Sequence, residues 1–469
     1  MDQFDSSSSR LHITEPSRNT PLIRQADVLV VGGGLTGVAA AVASARLGAK
    51  TLLVERSQFL GGIASGSMPG SFGLLSDWKG NKITGGIIDE IIELLDKRRA
   101  SVRNPWRFSA ETERELGLEE YFSRNPRPEA STVQFDFEHL KFVCDKLVIE
   151  NGVDVFFDTW AVGFFREASS QGVIAEGKSG RFAFSGKIVI DATGDADVAA
   201  MAGVSFSKGR DRDGLLQPAS VMFTLRGLDA NKIRQYEQEN EDFGFAKAIA
   251  KAKQQGEIVG YPLDRILTWL PTFDKNIIWF NATRISHVDG TKTEDISKGL
   301  FEGRRQVDML VDFLRNHIPG CEKAQVASTA PNLGIRETRR IQGDYVLSEK
   351  DVLTGRQFAD VVVRRAIFMD VHNPSGPGFH KVRLGENTSF EIPYRCLLPR
   401  AVDNMLVAGR CVSTTHLAAG AVRAMVGCVA LGEAAGTAAA LSCRELIKPR
   451  ELQVESLQEV LKTQGVLLD

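Results

Sequence analysis

From Asp27 the chain reads DVLVVGGGLTGVAAAVASARLGAKTLLVERS, an apolar run, a glycine turn, an alanine-rich stretch and a second apolar run. Short apolar runs bounded by glycine predict buried strands and the alanine-rich stretch predicts a helix, which together make a complete βαβ unit. Beyond it, GGIIDEIIELLDKRR carries its apolar residues at helical spacing and predicts an amphipathic helix. FDFEHLKFVCDKLVIENGVDVFFDTWAVGFF predicts helix, turn and strand, and GVIAEGKSGRFAFSGKIVIDATGDADVAAMAG a hairpin feeding a buried strand that ends at Ala192. The chain thereby returns to its first sheet. From about Val204 to about Phe390 the pattern changes to strand-like patches (SVMFTLRG, NIIWFNATRI) and long helices such as ISKGLFEGRRQVDMLVDFLRNHI. NMLVAGRCVSTTHLAAGAVRAMVGCVALGEAAGTAAALSC then predicts a strand, a loop and a small-residue helix.

These elements predict an α/β protein in which a Rossmann-like dinucleotide-binding domain is assembled from segments 26–99, 134–204 and 391–445. A charged, proline-punctuated covering element is expected at 100–133, a discontinuous α+β substrate or cap domain at 205–390, a disordered polar leader at 1–25 and a C-terminal helix or tail at 446–469. The length of 469 residues exceeds what one hydrophobic core usually supports, in keeping with two closely associated domains.

Composition narrows the partners. With 43% hydrophobic and 25% charged residues and a net charge of −2, no long-range field favours nucleic acid or an anionic membrane surface. The six cysteines include no CxxC pair and no histidine spacing suited to zinc, so neither a redox dithiol nor a metal is expected. The N-terminus lacks the basic and apolar regions of a signal peptide, and no uninterrupted apolar run reaches the roughly 18 residues of a membrane span. A reducing, cytoplasmic setting is expected. The small-residue helix near the C-terminus would pack equally well inside a monomer or across a homodimer.

Gly32, Gly34 and Gly37 form G-x-G-x-x-G between the first strand and its helix. The first glycine permits a tight turn, the second lets a pyrophosphate approach the backbone, and the third lets helix and strand pack closely. Glu55, closing the second strand, is placed to bind ribose hydroxyls and disfavours a 2′-phosphate. The fingerprint alone does not separate FAD from NAD. Two later segments add small residues and a helix start around the same sheet: IVIDATGDADVA with Ala192, Thr193, Gly194 and Asp195, and AGRCVSTTHLAAGAVRAM with Gly409, Arg410, Gly420 and Val422.

With these blocks, and with FLGG, LGIRETRRIQGDYVL and EIPYRCLLPRAVDNMLVAGR, the chain resembles the FAD-dependent oxidoreductase family with the glutathione-reductase-type fold, within reach of fumarate reductase flavoproteins. The resemblance runs from about Asp27 to about Leu441 and implies FAD between a flavin domain and a substrate domain, without implying a substrate. The expected cofactor contacts are Gly32, Gly34, Leu35, Thr36, Gly37, Glu55, Arg56, Gly62, Ile63, Ala64, Ala161, Val162, Ala192, Thr193, Gly194, Asp195, Gly409, Arg410, Gly420 and Val422. No second fingerprint is present, so electrons are expected to enter from a small-molecule substrate and leave to oxygen, a quinone or a protein.

Four residues are candidates for the chemistry. His416, six residues after Arg410, resembles the histidine that fumarate reductase-like enzymes present to substrate, and its ordinary pKa suits proton transfer at neutral pH; it would otherwise order its loop through a backbone carbonyl. Arg336 in GIRETRR suits a carboxylate or the charge of reduced flavin, although with Glu337, Arg339 and Arg340 at helical spacing it also fits an ion-paired surface. Tyr394 and Arg395 fit a site lining, and Tyr394 equally a buried core position. His372 fits a substrate-capping loop or a surface loop, Cys411 a flavin attachment point or, preferably, a small buried hydrophobe, and Trp269 and Trp279 a cavity wall or core packing. The function expected is a dehydrogenase or oxidase moving hydride between a small or medium organic substrate and flavin, by desaturation or by alcohol or amine oxidation. A monooxygenase reduced by external NAD(P)H and a flavin-holding electron-transfer subunit are the alternatives.

Overall fold

The first strand begins earlier than the apolar pattern predicts. A computed structural model describes residues 13–77, 80–103, 132–167, 170–274, 276–376, 378–382 and 389–469. In it β1 spans Leu22–Val31, α1 spans Leu35–Arg46 and β2 spans Thr51–Val54. Leu22, Arg24 and Gln25 pair with Ala183, Phe184 and Ser185 of β3 (Gly180–Asp191). Part of the expected leader therefore belongs to the sheet. Its side chains are largely exposed, with Arg24 paired to Asp154 at 3.1 Å, and backbone pairing holds it to the sheet, so hydropathy carried no sign of it. The expected covering element falls mostly on 104–131, outside the described residues.

β1 is flanked in parallel by β2 and β3, and the seven-stranded sheet runs Asp154–Phe156, β2, β1, β3, Ser170–Gly177, Trp160–Glu167. β3 changes partner along its length. Its early residues pair antiparallel with Ser170–Gly177, and Val189, Ile190 and Asp191 pair in parallel with β4 (Met405–Val407). The α/β fold with a parallel sheet is as the sequence predicts. Val31 and Asp191 end side by side, and the carboxyl ends of such strands are where open α/β sheets hold ligands.

One continuous C-terminal helix was expected, and two are present: α2 (His416–Val422) and α3 (Met425–Glu445), separated where Ala424 turns extended with ψ 133°. α3 has the length and hydropathy of a membrane span, yet 94% of that stretch is buried inside the protein. It lies against α1, with Gly432 and Gly436 on the backbone of Thr36 and Ala40.

A second hydrophobic core surrounds a four-stranded sheet in the order Thr268–Pro271, Ile277–Asn281, Phe223–Arg226, Gln325–Thr329, with the long helix Thr293–His317 against it. Between the two cores runs GIRETRR. The helical spacing expected there is not realised: residues 335–338 form no helix, and Arg339–Ile341 is a strand paired antiparallel with Phe206–Lys208. Glu337 and Arg340 are buried and ion-paired with each other rather than solvated. All six cysteines are free thiols.

Candidate functional site

The turn between β1 and α1 is shaped by what cannot fit. Gly32 has φ +103°, and a Cβ there would stand 2.6 Å from the Ala192 carbonyl oxygen. A Cβ on Gly37 would stand 1.7 Å from the Gly32 oxygen, so only glycine lets α1 start against the strand end. At Gly34, by contrast, the nearest atom to an added Cβ is the Gly62 Cα at 3.9 Å, which leaves the backbone open to an incoming group. Leu35 and Thr36 open α1, whose first amides have no intrahelical acceptors and favour an anion.

Around this turn the carboxylates are already engaged by the protein. Glu55 accepts hydrogen bonds from the Gly33 amide and, at 2.7 Å, from the Ser57 amide. Asp191 accepts from the Thr193 hydroxyl at 2.7 Å and from the Ala199 amide at 2.8 Å, and burial pushes its pKa up to about 6. Asp195 accepts from the Thr338 hydroxyl at 2.7 Å and pairs with Arg410, whose guanidinium covers Gly194.

These elements enclose a cavity of about 400 Å³. Of the expected cofactor residues, Gly32, Gly34, Leu35, Thr36, Glu55, Arg56, Gly62, Ile63, Ala64, Ala161, Ala192, Thr193, Gly194, Asp195 and Arg410 line it. Others stand off the wall. Gly37 acts through packing alone, Gly409 packs on Thr36, and Val162 is exposed on its strand. Gly420 and Val422 are buried inside α2, where a Cβ on Gly420 would meet the Val371 side chain at 2.7 Å, because the helix starts earlier than the motif suggests. The wall is completed by residues that the motif reading missed: Ser67, Ile296, Leu300, Asn332, Leu333, Ile335, Arg423, Met425 and Cys428. Along the whole wall, Ser67 Oγ, Arg410 Nε and Arg423 Nε are buried with no hydrogen-bond partner among the described residues. Buried donors without partners are costly, and a polar cofactor such as FAD, together with a polar substrate, would satisfy them.

The four candidates for chemistry separate. The Tyr394 hydroxyl donates to the Pro449 carbonyl at 3.0 Å and Arg395 grips Asp360 at 2.8 Å, both away from the cavity. The 3-10 turn that carries them packs on the C-terminal segment, so they take no part in the wall. Arg336 is half-buried directly after the lining Ile335, bound to the Pro218 carbonyl at 2.7 Å and Ser220 at 2.8 Å. Burial, and then the charge of Arg423, draw its pKa down to about 9. His416 starts α2 behind the wall, with Nδ1 2.8 Å from Glu337, a buried carboxylate that also takes Arg340. His372 is buried rather than on a surface loop, Cys411 is a buried thiol off the wall, and Trp279 donates to the Met68 carbonyl at 2.7 Å. Trp269 donates to Glu237 at 3.2 Å within the second core.

The family model for FAD dependent oxidoreductases matches residues 27–461. The chain belongs to this family. The family binds FAD and consists of enzymes, as the resemblance in the sequence implies. A search of curated proteins returns no match. Among solved structures, p-nitrophenol 4-monooxygenase PnpA from Pseudomonas putida DLL-E4 is similar at 11% identity over 93% of this chain and 84% of that one, with a TM-score of 0.50. Glycine oxidase from Geobacillus kaustophilus is similar at 12% identity over 90% of this chain and 95% of that one, with a TM-score of 0.44. L-proline dehydrogenase from P. horikoshii is similar at 14% identity over 95% and 100%, with a TM-score of 0.43. At 11% identity the likeness to the monooxygenase is one of fold alone.

Proposed function

We propose that this oxidoreductase is a dehydrogenase or oxidase acting on a small or medium organic substrate. The observation that carries the reading is the mixed lining of the cavity. The glycine turn, the start of α1 and unpartnered donors line it together with apolar Ile296, Leu300, Leu333 and Ile335. When bound, FAD supplies two-electron hydride acceptance.

The chain's own residues divide the remaining work. The turn from Gly32 to Thr36 and the Asp195-anchored Arg410 would hold the pyrophosphate of FAD, Glu55 would hold its ribose, and Ser67 would supply a donor farther along the wall. The apolar residues keep bulk water from the reacting carbon. His416 takes the substrate proton at Nε2, through a bridging water, because Nδ1 is fixed by Glu337.

The test is the visible spectrum of the purified protein, followed by anaerobic mixing with alcohols, amines and substituted acids. Flavin bleaching by one of these, with no NAD(P)H present, is the expected result. Bleaching by NAD(P)H alone would favour a monooxygenase, and the absence of a flavin band after incubation with FAD would overturn the reading. Rapid reoxidation in air separates an oxidase from a dehydrogenase.

A further inference from the structure

Two arginines, Arg423 and Arg284, bond to the segment that follows residue 369, and a third, Arg336, stands within electrostatic reach of both. Arg423 donates to the carbonyl and, at 2.9 Å, to the carboxylate of Asp370. Arg284, only 3% exposed, donates to the carbonyls of Asn373 and, at 2.8 Å, Gly376. Arg336 sits on Pro218 and Ser220, and the Ser220 hydroxyl donates in turn to the Thr283 carbonyl beside Arg284.

Among the described residues, the printed ion pairs leave the charge here unbalanced. Asp370 is taken by Arg423 and by His372, whose Nε2 is 3.4 Å from it. Asp264 acts on Arg284 only through space. Burial, and then Arg336, hold His372 neutral with a pKa near 3, so it adds no positive charge. Three guanidiniums thus face two carboxylates. Their hydrogen-bonding capacity is unfilled as well: Arg284 Nε and Nη1, Arg423 Nε and Gln217 Nε2 are buried with no partner among the described residues. Partial burial of an uncompensated guanidinium is costly unless an anion completes it.

We propose that this cluster receives a carboxylate of the substrate, entering past Arg423 on the cavity wall, with Arg336 and Arg284 supplying the field behind it. The proposal rests on the oxidoreductase reading above and narrows its substrates to organic acids. Arg423 stands between Val422 of α2 and the start of α3, so an acid held there lies beside the cavity rather than in bulk solvent.

The test follows thermal unfolding of the protein with and without FAD, together with flavin difference spectra, in acetate, benzoate and succinate against acetamide, benzamide and succinamide at matched ionic strength. At least one acid is expected to raise the midpoint saturably and to shift the flavin band, while its amide does neither. Arg423→Gln weakens that acid by about tenfold or more, the loss of one charge-assisted contact, and Arg284→Gln weakens it through the loss of the field behind the site. Arg284→Lys and Arg423→Lys, which keep the charge, retain part of the effect and report on folding. A response equal for acid and amide, equal in both glutamine variants and the parent, or absent for every acid overturns the inference. A protein that takes no FAD overturns the oxidoreductase reading instead, and one that binds FAD but ignores acids overturns this inference alone.

Discussion

Gly432 of α3 rests directly on Thr36 of α1, so closely that a Cβ at position 432 would stand 2.0 Å from the Thr36 carbonyl oxygen. One turn on, Gly436 approaches Ala40 in the same way, at 2.1 Å, and the Ser44 hydroxyl donates to the Ala40 carbonyl at 2.7 Å and to that of Gly436 at 3.1 Å. Thr36 belongs to the wall of the cavity, so the contact that closes the core also fixes the glycine turn. Gly432→Ala is expected to cost about 3 kcal/mol through overpacking and to weaken FAD retention. Gly48→Ala, at φ +86° with nothing within 4 Å, is the control. It is expected to cost about 1 kcal/mol through backbone strain alone and to leave FAD content unchanged. Chemical denaturation with flavin release measured alongside decides between them.

Glu55 holds two amides at once, those of Gly33 and Ser57. Glu55→Gln presents an amide nitrogen to one of these donors and leaves it unsatisfied, at a cost of about 1–3 kcal/mol. Retention of FAD, read as flavin fluorescence on dilution, is expected to fall by about tenfold or more. Unchanged retention would mean that Glu55 is a loop fastener with no part in ribose binding.

The βαβ unit was legible because its signal is local: apolar runs, a glycine turn and a closing acid lie within one stretch, and each glycine has a steric reason. Residues joined by distant segments were not. Arg284 ends the apolar patch NIIWFNATR, and nothing near it in sequence shows that its guanidinium reaches Asn373 and Gly376. Glu337 sits among arginines and reads as a surface charge, yet the extended backbone turns it inward onto His416 and Arg340. Tyr394 and Arg395 were expected at the site from their place in the returning segment, but a single 3-10 turn directs them to Pro449 and Asp360.

Glu433 makes stability depend on pH. Its carboxyl is 1% exposed, accepts the Ile87 amide at 3.0 Å and is pushed by burial up to about 8. Since the unfolded group titrates near 4.5, the folded state binds the extra proton between those values and stability falls as pH rises through them, by at most about 1.4 kcal/mol per pH unit. Asp191, raised to about 6, contributes with the same sign lower in the range, and His372, lowered to about 3, with the opposite sign below its ordinary value. Both cancel when the parent is compared with Glu433→Gln. The variant is expected to hold its stability from pH 5 to pH 8 better than the parent; parallel curves in denaturant titrations would show that Glu433 ionises without penalty.

His416 and Glu337 make the sharpest claim about chemistry. If Nε2 takes the substrate proton, His416→Asn should slow anaerobic flavin reduction by about 10²–10⁴-fold with FAD content unchanged. Glu337→Gln is a different experiment: it leaves Arg340 buried against a neutral partner and is expected to cost about 3–5 kcal/mol of stability. The discriminating result is therefore the rate of flavin reduction in the histidine variant at full FAD loading. A rate equal to the parent's would leave His416 as the group that fastens α2 to Glu337.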